Sequence, residues 1–518
     1  MTTGIAMVLA GLSACGGTDG PKAQDAAPPF DLVPVESWEG AALPPGTPPS
    51  HAQPGIAIGD LDGDGWLDAL LAYAGGSLGF RNDGMGRLVA GGGITLDGGP
   101  FPPAYAVSLG DLDGDGDLDG VLGRWGGLDD LLLWNDGAGH FRSAVLADSA
   151  GATFTTTLAD LDGDGDLDVA RATGATFMMY EDILAGVQRG DPNTLDRNDG
   201  GGVFTRVVDA FPPGTEDGMT FQLAPLDVDE DGDLDLYVAN DAGPFVAPNM
   251  LLLNDGTGRF ARAEGCDCEV SMLAMGAAVG DANQDGRPDL YLTNVGPTYL
   301  LEGTGGASFV DTSLATGARI PATAESMISW GTAFVDLDAD RDDDLVVTFG
   351  YGGDGKSLEI LDPTWVQGVE QPDQVLRSDG EGGYVRAAVP SFHDPAATRA
   401  MAVGDLDRDG DPDLLTAGKH FLRQWRNEGG FPGRLTVRLH GRRDNPHGIG
   451  ARLESTVGGV TRTSWMFPSV TGGTSAPEVY LGLGDGDVLD SLVVTWPDGT
   501  RTERTQVPAG TLDLVQGE

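Results

Sequence analysis

Short apolar runs recur in pairs along the chain, and a nine-residue polar segment that begins and ends with aspartate separates the two runs of each pair. Around the first polar segment the runs are Gly55-Ile56-Ala57-Ile58 and Leu70-Leu71-Ala72. None of the runs is long enough for a helix, and their β-branched residues are typical of strands. The pattern predicts a repeated unit that consists of a strand, a polar turn and a second strand.

The polar segment occurs seven times, and its starts are 51, 49, 67, 54, 55 and 69 residues apart. We number the copies loop 1 to loop 7, the units that contain them unit 1 to unit 7, and the residues of each loop positions 1 to 9. Oxygen-donating side chains recur at positions 1, 3, 5 and 9. They are Asp60, Asp62, Asp64 and Asp68; Asp111, Asp113, Asp115 and Asp119; Asp160, Asp162, Asp164 and Asp168; Asp227, Asp229, Asp231 and Asp235; Asp281, Asn283, Asp285 and Asp289; Asp336, Asp338, Asp340 and Asp344; Asp405, Asp407, Asp409 and Asp413.

Carboxylates crowded into nine residues repel one another unless a cation neutralises them. Ca2+ accepts six to eight oxygen ligands in a flexible shell, so the sequence predicts up to seven calcium sites, each completed by the position-7 carbonyl and a water. The EF-hand is the alternative calcium loop with this opening, and it needs helical flanks and a glutamate at position 12. Position 12 is Leu71, Leu122, Arg171, Val238, Leu292, Val347 and Thr416, which excludes an EF-hand.

Position 6 is glycine in six loops, where we expect a sharp bend with positive φ. The two departures from the pattern are Asn283, which keeps an oxygen donor but no charge, and Arg341, which replaces the glycine of loop 6. We expect this bulky cation to strain the backbone and repel the ion, so the site at Asp336 should be weak or empty. The glycines are Gly65, Gly116, Gly165, Gly232, Gly286 and Gly410.

A second turn motif, Asn-Asp-Gly or a variant of it, follows farther along each unit. Asp-Gly between extended runs favours a hairpin turn, and two hairpins in about 50 residues give a four-stranded unit, the size of a propeller blade. First strands rich in Gly, Ala and Ser suit strands that converge on a central channel. The motif begins at Asn82, Asn135, Asn198, Asn254, Glu302, Ser378 and Asn427.

We therefore predict an all-β fold, a seven-bladed β-propeller with calcium loops, followed by a small β-sandwich. The last unit continues with Phe431-Pro432-Gly433, which ends the strand, whereas Phe30-Asp31-Leu32-Val33 resembles the missing piece. We expect this N-terminal strand to complete the seventh blade.

The formal charge is −50, and 34 of the 80 acidic residues lie in the seven loops. Even seven bound Ca2+ ions leave the protein strongly acidic, which disfavours nucleic acid as a partner. The three cysteines, Cys15, Cys266 and Cys268, are too few for a disulfide scaffold. Cys266 and Cys268 flank one residue, a spacing that allows a disulfide but does not demand one.

Residues 1–15 form a short apolar stretch that ends at Cys15, and the stretch is shorter than the ~20 residues of a spanning helix. It resembles a bacterial lipoprotein signal with lipidation at Cys15, although the usual Lys or Arg before the apolar run is missing. Residues 16–29 are predicted to be a flexible tether. We expect an exported protein, either secreted or held in the cell envelope or on the surface, with membrane contact only through a lipid anchor at Cys15.

The acidic loop after a small-residue strand resembles the FG-GAP repeat, also called the VCBS repeat, of integrin α-chain propellers and many bacterial surface proteins. Residues 275–281 and 329–334 resemble the cartilage acidic protein-like subgroup, in which the propeller precedes an ASPIC/UnbV domain. Residues 445–453, 481–484 and 493–499 match the signature of that domain. The resemblance implies a propeller over residues 30–432 and an ASPIC/UnbV-like domain over 433–518, where alternating apolar and polar residues predict a small antiparallel β-sandwich.

No histidine pair has metal-binding spacing, and the nucleophile elbow, phosphate loop and dinucleotide fingerprint are absent from the sequence. We expect a monomeric, non-enzymatic calcium-binding surface protein. Its protein or glycan partner would bind the loops of one propeller face, especially the insertions at 173–197 and 350–377. The alternative is a calcium-dependent, lyase-like enzyme acting on polysaccharides, because a fold alone does not settle function.

Overall fold

The computed structural model describes residues 30–39, 54–175, 182, 185, 189–323, 328–350, 371–393, 397–418, 421–429, 433–442 and 445–518. These residues form strands joined by turns, with a short 3-10 helix at Thr215–Asp217. No helix in the described part of the chain has the length and apolar content needed to cross a bilayer. The predicted all-β class is confirmed.

The repeat units contain short strands, most of them five to seven residues long, as the apolar runs predicted. In chain order they are β1 (Leu32–Glu39), β2 (Gly55–Gly59), β3 (Asp68–Ala72), β4 (Leu78–Asn82), β5 (Leu88–Ala90), β6 (Thr95–Leu96), β7 (Ala106–Gly110), β8 (Asp119–Gly123), β9 (Leu131–Trp134), β10 (His140–Val145), β11 (Thr153–Ala159), β12 (Asp168–Thr173), β13 (Thr194–Asn198), β14 (Phe204–Arg206), β15 (Met219–Leu226), β16 (Asp235–Asp241), β17 (Met250–Asn254), β18 (Phe260–Arg262), β19 (Ala274–Gly280), β20 (Asp289–Asn294), β21 (Tyr299–Gly303), β22 (Phe309–Asp311), β23 (Ser329–Val335), β24 (Asp344–Phe349), β25 (Gln374–Ser378), β26 (Tyr384–Arg386), β27 (Thr398–Gly404), β28 (Asp413–Gly418) and β29 (Phe421–Asn427).

Six repeat units each form an antiparallel sheet of four consecutive strands, and the seventh combines its three strands with β1. Within the described residues the sheets are β2–β5, β7–β10, β11–β14, β15–β18, β19–β22, β23–β26, and β27–β29 completed by β1; β6 adds to the second sheet. The first strand of each sheet contacts the first strand of the next, and β27 contacts β2. Four-stranded sheets arranged around their first strands are the architecture of a β-propeller.

The N-terminal strand joins the last sheet. β1 pairs antiparallel with β29, with Leu32 opposite Asn427 and Trp38 opposite Leu422. Phe30 and Leu32 are buried in one core with Trp425. The prediction that this strand completes the last repeat unit is confirmed, and the pairing leaves β29 without an open edge.

The C-terminal strands form two sheets that enclose one core, to which Leu435, Leu453, Leu492 and Trp496 belong. The sheet orders are β35-β30-β38 and β32-β31-β36-β37. The strands are β30 (Arg434–His440), β31 (Arg452–Val457), β32 (Val460–Trp465), β33 (Ser469–Val470), β34 (Gly473–Thr474), β35 (Val479–Gly482), β36 (Val488–Thr495), β37 (Arg501–Pro508) and β38 (Gly510–Val515).

The predicted β-sandwich is thus present, but the prediction that it is purely antiparallel is wrong. β30 pairs in parallel with β38, the last strand of the chain. Side chains alternate between the two faces of a strand whatever the direction of its neighbour, so the alternating pattern does not report strand direction.

Two short strands of the C-terminal region leave the sandwich and enter the centre of the propeller. We call residues 469–474, which contain β33 and β34, the channel hairpin. β34 pairs in parallel with β2, with Thr474 opposite Ala57. The Gly472 N–H donates to Thr155 Oγ1 at 3.3 Å, and the Gly472 carbonyl accepts the Val107 N–H at 3.2 Å. The hairpin also contacts β15, β19, β23 and β27, so it touches the first strand of every sheet.

The small residues of the first strands make room for this hairpin. A methyl group on Gly55 would overlap the Gly472 carbonyl, and one on Gly276 would overlap the Thr471 hydroxyl. Gly473 is equally constrained, because a methyl group there would overlap the Ile56 carbonyl. The sequence predicted a channel lined by small residues, and that channel holds a segment of the same chain.

Cys266 and Cys268, whose pairing the sequence left open, form a disulfide between β18 and β19. Both are buried in a core cluster that also contains Tyr237. The Tyr237 hydroxyl donates to the Cys268 carbonyl at 2.9 Å. The disulfide therefore lies in a packed part of the fold, where it holds a tight turn.

Candidate metal centres

All seven acidic loops connect the first strand of a sheet to the second. Position 1 directly follows the first strand and position 9 begins the second, as Asp60 and Asp68 do between β2 and β3. The loops therefore lie at the same end of their sheets, which we call the loop face. Their flanks are strands, as predicted, and not the helices of an EF-hand.

Position 6 makes the predicted bend. Gly65 has φ +85°, and its N–H donates to Asp60 Oδ2 at 2.9 Å. The other five glycines have φ between 84° and 103°. Arg341 has φ +83° and its N–H donates to Asp336 Oδ2 at 3.0 Å, so loop 6 makes the same bend at a cost of roughly 1–3 kcal/mol.

The Arg341 side chain leaves the loop. Its Nη1 and Nη2 donate to the carbonyl oxygens of Val457 and Val460 in the C-terminal domain, at 3.3 and 2.8 Å. The backbone strain expected at Arg341 is therefore present. Its positive charge, however, lies at the boundary between the propeller and the C-terminal domain. Weak occupancy of the site at Asp336 stays a prediction.

The position-9 carboxylate joins each loop to the third strand of its sheet. In loop 4, Asp235 Oδ2 accepts the Val228 N–H at 3.0 Å, and Oδ1 accepts the Asn254 N–H at 2.8 Å. The same two hydrogen bonds occur in the other six loops. The sequence pattern predicted position 9 only as a metal ligand, and this second role was missed.

The asparagine of the second turn motif links neighbouring sheets. Asn254 Nδ2 donates to the Leu234 carbonyl of its own loop at 3.0 Å and to the Leu161 carbonyl of the preceding loop at 2.8 Å. Asn82, Asn135 and Asn198 make the same pair of bonds. From the sequence this asparagine was predicted only as a turn residue. The available signal was its recurrence, because the turn itself requires only Asp-Gly.

Replacing Asn254 with Ala should destabilise the protein by about 2–4 kcal/mol, because two buried carbonyl groups lose their donor. The matched control is Ser378→Ala, since Ser378 occupies the same place in unit 6 and, within the described residues, its hydroxyl accepts the Gly380 N–H at 3.3 Å without bridging two loops. We expect the control to cost less than about 1 kcal/mol. Urea unfolding in the presence of calcium measures both, and equal losses would contradict the bridging role.

The loops hold buried carboxylate oxygens that lack a partner. Oδ1 of Asp60, Asp227, Asp336 and Asp405 is buried and accepts no hydrogen bond within the described residues. Asp336 and Asp405 are only 3% and 4% exposed. A buried anionic oxygen is costly unless a cation or a donor compensates it.

Burial also shifts the protonation equilibria of the loop carboxylates. Burial raises the pKa of Asp119, Asp168 and Asp289 to about 8. In loops 1, 2, 3, 4 and 6, three acidic side chains place one oxygen each within 4.8 Å of one another. Hard oxygen donors, unpartnered buried oxygens and excess negative charge together fit Ca2+.

The C-terminal domain covers much of the loop face. Arg462 Nη2 lies 3.3 Å from Asp342 Oδ1 in loop 6, and the Tyr480 hydroxyl accepts the Asp405 N–H of loop 7 at 2.8 Å. A cavity of about 290 Å³ separates loops 1 and 2 from this domain, and His447 lines it. Burial lowers the pKa of His447 to about 4, so its imidazole is neutral at pH 7.

Some predicted functional residues lie outside the described residues. These are Cys15, residues 176–181, 183, 184 and 186–188 of the first insertion, and residues 351–370 of the second.

Comparisons with solved structures find similar chains at low identity. An Agrocybe aegerita lectin whose title describes recognition of non-reducing terminal N-acetylglucosamine is 16% identical, with 71% of this chain and 85% of that chain covered and a TM-score of 0.39. Rhamnogalacturonan lyase YesW is 16% identical over 79% and 78% of the two chains, with a TM-score of 0.40. The V. cholerae biofilm matrix protein Bap1 is 13% identical over 92% and 62%, with a TM-score of 0.32. The propeller architecture follows from the strand pairing of the chain itself.

Family models match both parts of the sequence, whereas no curated protein matches it. The FG-GAP-like repeat matches residues 60–122, 227–292 and 281–347. The model named ASPIC and UnbV matches residues 441–518. The chain therefore contains FG-GAP-like repeats followed by a C-terminal ASPIC and UnbV domain.

Proposed function

We propose that this protein is a calcium-stabilised seven-bladed propeller that serves as a non-enzymatic binding scaffold for a protein or glycan. Calcium ions, up to seven of them, join the loops to the strands of each blade. The observation that carries the proposal is the buried Oδ1 of Asp227 and of Asp405, which accepts no hydrogen bond within the described residues and lies among other carboxylates. Such oxygens need a cation, and the loops supply the oxygen ligands that calcium prefers.

The ligand should bind the face opposite the loops. The loop face is covered by the C-terminal domain, and the channel hairpin fills the centre of the propeller from that side. The opposite face carries the connections between the second and third strands. It is therefore the face whose loops can vary without disturbing a metal site or the domain boundary.

An aromatic cluster lies where the channel opens on that opposite face. Trp125 is partly exposed and packs edge-on against Phe154, with 5.7 Å between ring centroids. Phe154 stacks on Phe221 at 4.3 Å, and Phe245 packs against the same cluster. Partly exposed aromatic rings offer the flat apolar contacts that glycans and protein partners use.

Export and lipid attachment at Cys15 complete the proposal, with the protein acting as a monomer in the cell envelope or on the surface. Residues 16–29 would then connect the propeller to the lipid anchor. Mass spectrometry of the protein purified from membranes tests this part, since a lipid on Cys15 changes the mass of the N-terminal peptide.

A glycan array and a pull-down with calcium-loaded protein test the binding role. Once a ligand is found, Trp125→Ala should weaken binding by about tenfold or more. Trp66→Ala is the matched control, because Trp66 lies in loop 1 on the covered face, beneath Arg408. Loss of binding in the Trp66 variant alone would contradict the assigned face.

Turnover of polyuronates, measured as a rise in ultraviolet absorbance, would contradict a purely binding role.

A further inference from the structure

Four repeat units place an arginine directly before the second turn motif, at the end of the third strand. We call Arg81, Arg197, Arg377 and Arg426 the third-strand arginines. The other units carry uncharged or acidic residues at the equivalent place of the third strand: Trp134, Leu253 and Glu302. In unit 5 the equivalence is set by Gly303, which follows Glu302 and whose N–H donates to Asp289 as the asparagine N–H does in loops 1 to 4 and 7. The acidic loops of the units are similar, whereas the charge of the residue at this place in the third strand differs between units.

The third-strand arginines reach into the acidic loops of their own units. Arg81 pairs through Nε with Asp62 at position 3, and its Nη2 lies 3.0 Å from Asp64 Oδ2. Arg426 Nε lies 2.6 Å from Asp407 Oδ2, again at position 3. In both loops the arginine holds a carboxylate that is predicted to bind the ion.

The other two third-strand arginines repeat this contact at longer distances. Arg377 Nη1 lies 3.4 Å from Asp338 Oδ2. Arg197 Nε lies 3.6 Å from Asp162 Oδ2, but the same atom donates to Asp199 Oδ1 outside the loop at 2.7 Å, so the contact in loop 3 is the weakest of the four. Asp338 and Asp162 each occupy position 3 of their loops. The same carboxylate is therefore engaged in all four units, although the units differ in length and in their other residues.

These ion pairs are partly buried, which strengthens the electrostatic effect of the arginine charge on the loop. The four position-3 carboxylates are only 1% to 12% exposed, whereas the arginines are 27% to 41% exposed. A charge pair that is partly shielded from water is screened less than a surface pair. A calcium ion that enters the loop is therefore repelled by the arginine, which already pairs with the position-3 carboxylate predicted to bind the ion.

We propose that the third-strand arginines lower the calcium affinity of loops 1, 3, 6 and 7 relative to loops 2 and 4, so that the protein holds calcium sites of two classes. The inference rests on the proposed calcium binding. Each arginine stabilises its loop without calcium and repels the ion when it arrives, and both effects reduce the free energy gained on binding. Loop 5 stands apart, since Asn283 removes the position-3 charge and Glu302 occupies the arginine's place.

A reciprocal exchange tests this inference. Arg81 faces Val89 and Leu253 faces Ala261 across equivalent hairpins, so Arg81→Leu and Leu253→Arg interchange the side chains of matching positions. Equilibrium dialysis with radioactive calcium counts the ions bound in the tight class. We expect Arg81→Leu to add one ion to that class and Leu253→Arg to remove one, each through a change of about tenfold in one dissociation constant.

Arg262→Leu controls for the change in net charge, because Arg262 pairs with the exposed Glu269 at 2.7 Å, away from the loops. It should leave both classes unchanged. Circular dichroism verifies that the variants fold. Wild-type protein that binds no calcium overturns the proposed function and this inference with it. Wild-type protein that binds calcium in a single class, unaltered by both exchanges, overturns this inference alone.

Discussion

Chelation of calcium should lower the melting temperature of the protein by about 10 °C or more. An ion that binds the folded loops and hardly the unfolded chain stabilises the fold by ~2.7 kcal/mol at each site when its free concentration is a hundred times the dissociation constant. The sheets contact one another, so the stabilisation from several occupied sites adds up in a single folded unit. Without the ions, the unpartnered oxygens of Asp60, Asp227, Asp336 and Asp405 remain buried at a cost.

Two controls separate specific binding from general screening of the acidic chain. Sodium chloride at matched ionic strength weakens repulsion among the 80 acidic residues but offers no divalent ion to the loops. Magnesium prefers a stricter octahedral shell and gives up its waters reluctantly, so it should restore less stability than calcium does. An unchanged melting temperature after chelation, or full recovery in salt alone, would falsify the calcium role.

Replacing Asp235 with Ala should cost about 2–6 kcal/mol. The change removes the acceptor of two N–H groups, those of Val228 and Asn254, which lie 3.0 and 2.8 Å from the carboxylate. Each buried N–H left without an acceptor costs about 1–3 kcal/mol. The variant also loses one predicted ligand of loop 4, so the cost with calcium present should exceed the cost in chelator.

Asp255→Ala is the matched control for this variant. Asp255 lies in the same sheet, and its carboxylate bonds locally to the exposed Thr257. We expect a loss below about 1 kcal/mol there. Urea unfolding of both variants in calcium measures the whole cost of replacing Asp235. The same measurement in chelator leaves the cost of the lost hydrogen bonds, and the difference is the contribution of the ion. If the cost of replacing Asp235 vanished in chelator, position 9 would act only through the ion and the hydrogen-bond account would be wrong.

The features that sequence analysis predicted rest on local signals that recur in every unit. The strands around each loop, the bend at Gly65 and its equivalents, and the two hairpins of a unit are each set by a few neighbouring residues. The N-terminal strand was found because the last unit lacks one piece that the others have. Repetition strengthened these local signals, because seven copies of Asp-x-Asp-x-Asp-Gly are far more specific than one copy.

The features that were missed depend on partners distant in the chain. Asn254 bonds to Leu161, which lies 93 residues earlier, and the channel hairpin pairs Thr474 with Ala57. Arg341 was judged by its place in loop 6, yet its guanidinium binds carbonyl groups more than a hundred residues away. Spacing within a repeat carries no information about such contacts. The parallel pairing of β30 and β38 was missed because side-chain alternation is the same in both strand directions.

Calcium binding by the seven acidic loops is the proposal on which the others depend. The most direct test is the calcium-to-protein ratio of the folded chain, measured by elemental analysis after dialysis against buffered free calcium. We expect six or seven ions per chain, depending on the loop at Asp336, and one ion fewer when Asp227 and Asp229 of loop 4 are both replaced with Asn. A ratio near zero, or a ratio that the double replacement leaves unchanged, would contradict it.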